Sequence, residues 1–255
     1  MNAPSLSPAV HDVDLTVLEV ERADSLASLL LERPAGGRDI AAGQFGLFKS
    51  LAPGAPLLPR PISLIPDAAG LRIAFNIVAE GTRALAAAVP GERVEFVGPL
   101  GNAFDAPAES ILIVADAPHA GTMLALAVER SGSADTVLYV TNAERPHPSD
   151  DALIAAFRAT GLTVLIRPRA ALGEVFAGAS HRYVAAGAAD QTMALVQRLA
   201  PEHGMRGEAA LQAAMACGLG VCQVCVHAAA GGASLLVCDG PVFALEAPAF
   251  AAVAA

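Results

Sequence analysis

The chain has 255 residues, a length that predicts two compact units rather than one minimal domain. Hydrophobic residues make up 54% and charged residues only 16%, so a sizeable core can form and wholesale disorder is excluded. The net charge is −9, and Lys49 is the single lysine. A protein that binds nucleic-acid phosphates normally carries a basic patch, so this composition argues against a nucleic-acid partner.

The apolar stretches are too interrupted to cross a membrane. A spanning helix needs about 20 mostly apolar residues, and the best candidate, 111–128, contains Asp116, Pro118 and His119. The first arginine is Arg22, so the N-terminal residues lack the basic start and apolar stretch of a secretory signal. We therefore expect no membrane span and a cytoplasmic protein.

The first hundred residues contain several short apolar segments separated by frequent turn signals. This pattern predicts a small β-barrel. The predicted strands cover residues 13–20, 25–32, 45–48, 62–65, 71–78 and 94–97, with a short helix over 82–89.

Strands alternate with helices from about residue 107. This alternation predicts a parallel sheet with right-handed crossovers, as in a nucleotide-binding α/β domain. The predicted strands cover 111–115, 136–140, 163–166 and 183–186, and the predicted helices cover 121–130, 150–159 and 191–200. We expect a barrel over 1–106, an α/β domain over 107–204 and a C-terminal segment over 205–255.

All four cysteines lie in the C-terminal segment. They are separated by four, two and twelve residues, which is the plant-type spacing for a 2Fe–2S cluster. Two glycines between the first two cysteines allow backbone N–H groups to approach inorganic sulfide closely. The spacing predicts a 2Fe–2S site, with structural zinc or free buried thiols as alternatives. The predicted ligands are Cys217, Cys222, Cys225 and Cys238.

The cysteine motif and the sequence Cys238-Asp239-Gly240-Pro241-Val242-Phe243 after it resemble one family. It is the electron transfer subunit of two-subunit dihydroorotate dehydrogenase, within the ferredoxin–NADP reductase superfamily. Further motifs agree in order, so the resemblance covers essentially the whole chain. They are Gly43-Gln44-Phe45, Arg60-Pro61-Ile62-Ser63, Gly81-Thr82 and residues 98–102.

The resemblance implies that the barrel binds FAD. A flavin pyrophosphate needs a cation and backbone donors, and an arginine gives it a planar, multi-donor contact. Gly81-Thr82 opens the predicted helix, whose first N–H groups would face phosphate. The family usually shows Tyr-Arg where this chain has Phe75-Asn76, which weakens a charge-based role there. The implied FAD contacts are Arg60, Pro61, Ile62, Ser63, Phe75, Asn76, Gly81 and Thr82.

The resemblance also implies an FMN-containing dehydrogenase partner in a heteromeric complex of pyrimidine biosynthesis. In that family electrons pass from FMN through the cluster to FAD and then to NAD. We therefore expect an electron-transfer subunit rather than a stand-alone catalyst. Two alternatives are an NAD(P)H-dependent reductase that feeds an oxygenase or other acceptor, and a non-redox scaffold stabilised by zinc.

The α/β domain departs from the family at two places. The superfamily carries a Gly-Gly-Gly-x-Gly turn after the first strand, where this chain has Ala115-Asp116-Ala117-Pro118-His119. Asp116 adds a negative charge near the expected phosphate, and Pro118 removes a backbone donor. The family's Cys-Gly-Pro segment beside the nicotinamide is replaced by Ala186-Gly187-Ala188. We expect ordinary NAD(P) binding to be lost, with weak or altered binding as the alternative.

Overall fold

The computed structural model describes residues 10–35, 40–142 and 145–250. It confirms the predicted fold class: a closed antiparallel barrel is followed by an α/β domain built on a mostly parallel sheet. Every strand and helix predicted from the sequence is present, with ends that differ by a few residues.

Six strands close the barrel in the order β1-β2-β5-β4-β3-β6. Buried leucines, isoleucines and phenylalanines fill it, and the rings of Phe48 and Phe96 lie 5.1 Å apart at its centre. The strands are β1 (His11–Ala23), β2 (Leu26–Leu31), β3 (Phe45–Ser50), β4 (Arg60–Asp67), β5 (Gly70–Asn76) and β6 (Arg93–Leu100).

A short helix, α1 (Glu80–Ala86), connects β5 to β6. It begins two residues before the predicted start because the Thr82 hydroxyl caps it. That hydroxyl accepts the N–H groups of Val78 and Ala79, both at 3.0 Å, and donates to the carbonyl of Ala79. These bonds satisfy the two N–H groups that immediately precede the helix, as the third-residue side chain of a capping box does.

Five parallel strands form the sheet of the α/β domain in the order β11-β10-β7-β8-β9. They are β7 (Leu112–Ala115), β8 (Thr136–Thr141), β9 (Thr163–Pro168), β10 (Tyr183–Gly187) and β11 (Arg206–Ala210). The helices are α2 (Ala120–Glu129), α3 (Asp150–Ala159), α4 (Leu172–Gly178) and α5 (Asp190–Glu202). Helix α4 and strand β11 had no counterpart among the predicted elements.

The C-terminal segment contains a hairpin of β12 (Val226–Ala228) and β13 (Ser234–Leu236), followed by β14 (Val242–Ala244). Strand β14 pairs antiparallel with β11 and extends the sheet. The expected boundary after residue 204 therefore falls inside this sheet. The segment also shares a hydrophobic core with the barrel, in which Cys225 and Cys238 pack with Phe45, Leu47 and Leu100.

Among the described helices, none has both the length and the apolar character needed to cross a bilayer.

A buried ion pair fixes the entry into the α/β domain. The Asp135 side chain is fully buried, pairs with the Arg130 guanidinium and accepts the Ile111 N–H at 2.8 Å. Arg130 also donates to the carbonyls of Pro107 and Glu109. Burial by itself would raise the pKa of Asp135, but the hydrogen bonds from Arg130 and Ile111 outweigh it and hold the pKa below 3.8.

We predict that Asp135→Asn lowers the free energy of unfolding by about 3 kcal/mol at neutral pH, because it leaves the Arg130 guanidinium without its carboxylate. Since the folded-state pKa lies below the ordinary 3.8, the carboxylate stabilises the fold above that pH. This contribution is lost as the pH falls further, and the variant lacks that part of the pH dependence. Urea titrations across the acidic range measure both effects.

Asp67→Asn is the matched control. Asp67 contacts Arg72 at 2.7 Å, but both side chains are about one-fifth exposed. Solvent screens such a partly exposed pair more than the buried one, so we expect a smaller loss, of about 1 kcal/mol. Equal losses in the two variants would contradict the role assigned to the buried pair.

Candidate functional site

A cavity of about 450 Å³ lies where the barrel, the α/β domain and the C-terminal segment meet. Seven of the eight predicted FAD-contact residues line it: Arg60, Pro61, Ile62, Ser63, Phe75, Asn76 and Thr82. The turn after β7 and the first residues of α2 form a second wall. Residues 211–213, Met215 and Pro241 of the C-terminal segment form a third.

Gly81 does not line the cavity but makes room for Arg60. A Cβ atom at position 81 would lie 2.1 Å from Arg60 Nε, so any side chain there would displace the guanidinium. Arg60 Nη1 donates to the carbonyls of Leu58 and Pro59, at 3.1 and 3.3 Å. The guanidinium is thus held beside the cavity by its own loop and by the absence of a side chain at Gly81.

Ser63 faces the cavity from β4 and reaches across to the α/β domain. Its hydroxyl lies 2.6 Å from that of Thr122 on α2. Gly121 permits this approach, because a Cβ atom there would lie 3.2 Å from the carbonyl of Ala74 on β5. The Ser63 hydroxyl therefore connects the barrel to the α/β domain at the cavity wall.

Asn76 also joins the two domains. Its Nδ2 donates to the carbonyl of Ala117 at 3.0 Å, and its Oδ1 accepts from the Ser149 hydroxyl at 2.8 Å. The Ser149 hydroxyl lies 2.6 Å from that of Ser25 on the barrel. An amide at position 76 bridges the domains with neutral hydrogen bonds.

Phe75 and Thr82 line the cavity and also stabilise the fold. Phe75 is 8% exposed and packs into the barrel core. The Thr82 hydroxyl is engaged in capping α1. What these two residues present to the cavity is mainly apolar surface.

Backbone donors surround the cysteine sulfurs. The N–H groups of Leu219 and Cys222 point at the Cys217 sulfur, each at 3.4 Å, and the Gly220 N–H points at the Cys238 sulfur at 3.1 Å. Gly218 and Gly220 have φ angles of 66° and 75°, a region that favours glycine. The loop conformation that directs N–H groups toward sulfur depends on these glycines.

The four cysteines form two pairs. The Cys222 backbone N–H donates to the Cys217 sulfur at 3.4 Å, and the sulfurs of Cys225 and Cys238 lie 3.2 Å apart. Among the described residues, no three His, Cys, Asp or Glu side chains lie close enough together to hold a single metal ion.

Cys217 and Cys238 differ in acidity. Backbone hydrogen bonds from Cys222 and Leu219 lower the pKa of the Cys217 thiol to about 6. Burial, reinforced by Cys225, raises the pKa of the Cys238 thiol to about 12. Cys217 therefore favours a thiolate, whereas Cys238 requires a nearby cation to become one.

Asn102 fixes the C-terminal segment to the barrel. Its Nδ2 donates to the Val242 carbonyl at 2.7 Å, and its Oδ1 accepts the Val242 N–H at 3.1 Å. Gly240 packs directly on this amide, since a Cβ atom there would lie 2.7 Å from Asn102 Oδ1. The Asn102 side chain thus pairs with the backbone of β14 as a neighbouring strand would. Val242, the residue it contacts, lies four residues after Cys238.

The turn after β7 is closed by its own side chains. Asp116 Oδ2 accepts the N–H of Ala189, just after β10, at 2.7 Å. Asp116 Oδ1 accepts the His119 N–H at 3.2 Å and lies 2.8 Å from His119 Nδ1. The two segments that depart from the family, the turn and the end of β10, are therefore tied together by one carboxylate.

Residues 212–247 match the family model described as the iron-sulfur cluster binding domain of dihydroorotate dehydrogenase B. The electron transfer subunit of dihydroorotate dehydrogenase B (NAD(+)) from Clostridium acetobutylicum is 25% identical over 213 residues. These residues are 82% of this chain and 86% of that subunit. The predicted resemblance to this type of subunit is confirmed.

Solved structures agree on the fold. A chain from the structure of NADH-dependent reduced ferredoxin-NADP oxidoreductase gives a TM-score of 0.71 at 19% identity, covering 91% of this chain and 89% of that one. Phthalate dioxygenase reductase gives a TM-score of 0.60 at 16% identity, covering 89% and 94%. The barrel and the α/β domain therefore share the fold of these two proteins.

Sequence reasoning missed several residues of this site. Thr122 and Ser149 complete the hydrogen bonds of Ser63 and Asn76 but belong to no motif. Met215 and Pro241 flank the cysteine motif, and only the folded chain brings them to the cavity. Asn102 is the last residue of the matched motif at residues 98–102. That motif did not indicate what the Asn102 side chain does.

We predict that Asn102→Ala loosens the C-terminal segment, because it leaves both backbone groups of Val242 without these partners. Such losses cost about 1–3 kcal/mol each when the groups are buried. The expected result is faster proteolysis after residue 211 and less iron per purified chain.

Gln197→Ala is the control, since its amide holds the outer end of the same segment through the carbonyls of Leu245 and Pro248. It should leave iron content unchanged. Full iron content in Asn102→Ala would show that this amide does not position the cysteines.

Proposed function

We propose that this chain is an electron-transfer subunit that carries FAD and a 2Fe–2S cluster. It passes electrons between an FMN-containing partner dehydrogenase of the dihydroorotate dehydrogenase type and an acceptor other than a nicotinamide. The observation that carries the proposal is that one segment of the chain borders both candidate sites. The C-terminal segment that holds the cysteines also closes the cavity that collects the predicted FAD residues.

This arrangement supports electron transfer over a short path. Met215 lines the cavity and precedes Cys217 by only two residues. Leu47 of β3 packs against Gly218 on the other side, where a Cβ atom would lie 3.0 Å from the leucine. When bound, FAD exchanges electrons in pairs and the cluster exchanges them singly. The protein's part is to hold the two sites side by side and exclude water between them.

The cavity lining fits a flavin. Arg60 supplies a cation for the pyrophosphate, and Pro61, Ile62 and Phe75 supply apolar walls for the ring. The Ser63 hydroxyl is available as a hydrogen-bonding group beside them.

The cysteine segment fits a two-iron cluster. Each iron of a 2Fe–2S cluster takes two thiolates, and the cysteines form two pairs, Cys217 with Cys222 and Cys225 with Cys238. Glycines at 218 and 220 leave backbone N–H groups directed at sulfur, which stabilises negative charge there.

The exposed side of the cysteine loop supports docking of a partner. Leu219, Val221, Val224 and Val226 are all largely exposed, and Cys222 is exposed among them. Exposed apolar residues clustered at one place mark interaction sites in soluble proteins. A flavoprotein seated on this loop would approach the pair Cys217 and Cys222 most closely.

The choice of a non-nicotinamide acceptor separates this chain from its NAD(+)-linked relative. It is supported by the Asp116 carboxylate, which lies between the turn after β7 and the end of β10. A negative charge there opposes a dinucleotide phosphate.

The deciding experiment is an anaerobic visible spectrum of the purified chain, with its partner if one co-purifies, titrated with NADH, NADPH and then dithionite. We expect flavin and cluster bands that persist with both nicotinamides and bleach with dithionite. Prompt bleaching near stoichiometric NADH would contradict the proposed acceptor. A colourless protein that contains zinc would contradict the redox function itself.

Two substitutions should separate the two cofactor sites. Arg60→Ala removes the charge-assisted contacts to pyrophosphate, so FAD should bind about tenfold or more weakly while iron content stays unchanged. Cys222→Ser removes one thiolate, so the cluster bands should disappear while flavin stays bound. Flavin released on denaturation and iron per chain measure both.

Each variant has a control in the same region. Arg93→Ala changes an exposed barrel arginine that pairs with Asp14, and Leu219→Ala changes an exposed residue of the cysteine loop. Neither should alter cofactor content. Unchanged flavin in Arg60→Ala would remove Arg60 from the site, and an intact cluster in Cys222→Ser would remove Cys222 from the ligand set.

A further inference from the structure

The crevice between β7 and β10 is where a sheet of this order binds ligands. Strands β8 and β9 follow β7 on one side of the sheet. The chain then crosses back, and β10 and β11 lie on the other side of β7. Sheets of this kind take ligands outside the carboxyl ends of the strands at this reversal. In this chain those ends are Ala115 and Gly187, which lie side by side in register.

The Asp116 side chain spans this crevice. It leaves from the residue after β7, and its Oδ2 accepts the Ala189 N–H just before α5, at 2.7 Å. Its Oδ1 is occupied by the backbone N–H and ring Nδ1 of His119. The side chain is only 12% exposed. Both oxygens are used within the protein, and the carboxylate joins the two walls.

The barrel holds the same turn from its other side. Asn76 donates to the Ala117 carbonyl, and Ser149 in turn holds Asn76. Pro118 contributes no N–H to the turn. The turn is therefore held closed at both ends and offers fewer backbone donors than a turn without proline would.

We propose that Asp116 is the residue that excludes dinucleotides from this chain, because its carboxylate is a built-in anion at the position that a dinucleotide phosphate would take. A phosphate in the crevice would need the Ala189 N–H that Asp116 occupies and would face its negative charge. This inference rests on the proposed function, since it explains why the acceptor is not a nicotinamide.

The test compares Asp116→Gly, Asp116→Ser and Asp116→Asn with the wild-type chain. Gly opens the crevice fully, Ser keeps a small capping side chain for the His119 N–H, and Asn removes only the charge. The probes are ADP-ribose, measured by thermal shift, and NADH, measured by bleaching of the flavin. Asp190→Asn is the control, because it removes the same charge from the exposed neighbour of Ala189.

The Gly and Ser variants should bind ADP-ribose and NADH about tenfold or more tightly than the wild-type chain, with a smaller gain for Asn and none for Asp190→Asn. An equal gain in Asp190→Asn would mean that the loss of any nearby negative charge tightens binding. That result would overturn the inference. No gain in any Asp116 variant that keeps its melting temperature would also overturn it.

The two proposals fail in different ways. Bleaching of the wild-type flavin by NADH contradicts the proposed acceptor, whatever the variants do. An inert wild-type chain with inert Asp116 variants leaves the proposed function standing and removes the role of Asp116.

Discussion

The packing of the cysteine segment against the barrel is the constraint on which the rest of the molecule depends. Cys225 and Cys238 are buried in a core shared with Phe45, Leu47 and Leu100, so the ligand loop cannot be placed independently of β3 and β6. The same packing brings Met215 to the cavity wall. Strand β14 then joins the parallel sheet, which ties all three regions of the chain into one body.

The α/β domain borders the same cavity. Its first turn lines the cavity through Ala117 and Pro118, while Asp116 turns away into the crevice between the strands. One loop thus lines the cavity on one side and bridges the crevice between β7 and β10 on the other.

Much of the fold could be predicted because the elements carry local signals: alternating apolar residues in the barrel, continuous apolar strands in the sheet, and regular cysteine spacing. Strand β11 could not. Its sequence, Arg-Gly-Glu-Ala-Ala, has no β-branched residue, and it forms because Gly207 allows close approach to Val184 of β10. The bond between Asp116 and Ala189 joins residues 73 apart, so no local pattern could have revealed it.

Four hydrogen bonds that join the domains at the cavity wall connect uncharged groups. Ser63 meets Thr122, Asn76 meets Ala117 and Ser149, and Ser149 meets Ser25. Dissolved ions screen attraction between charges but have little effect on contacts between hydroxyls and amides. These four contacts are therefore insensitive to ionic strength. Salt that weakened the docking of a charged partner would leave this wall of the cavity in place.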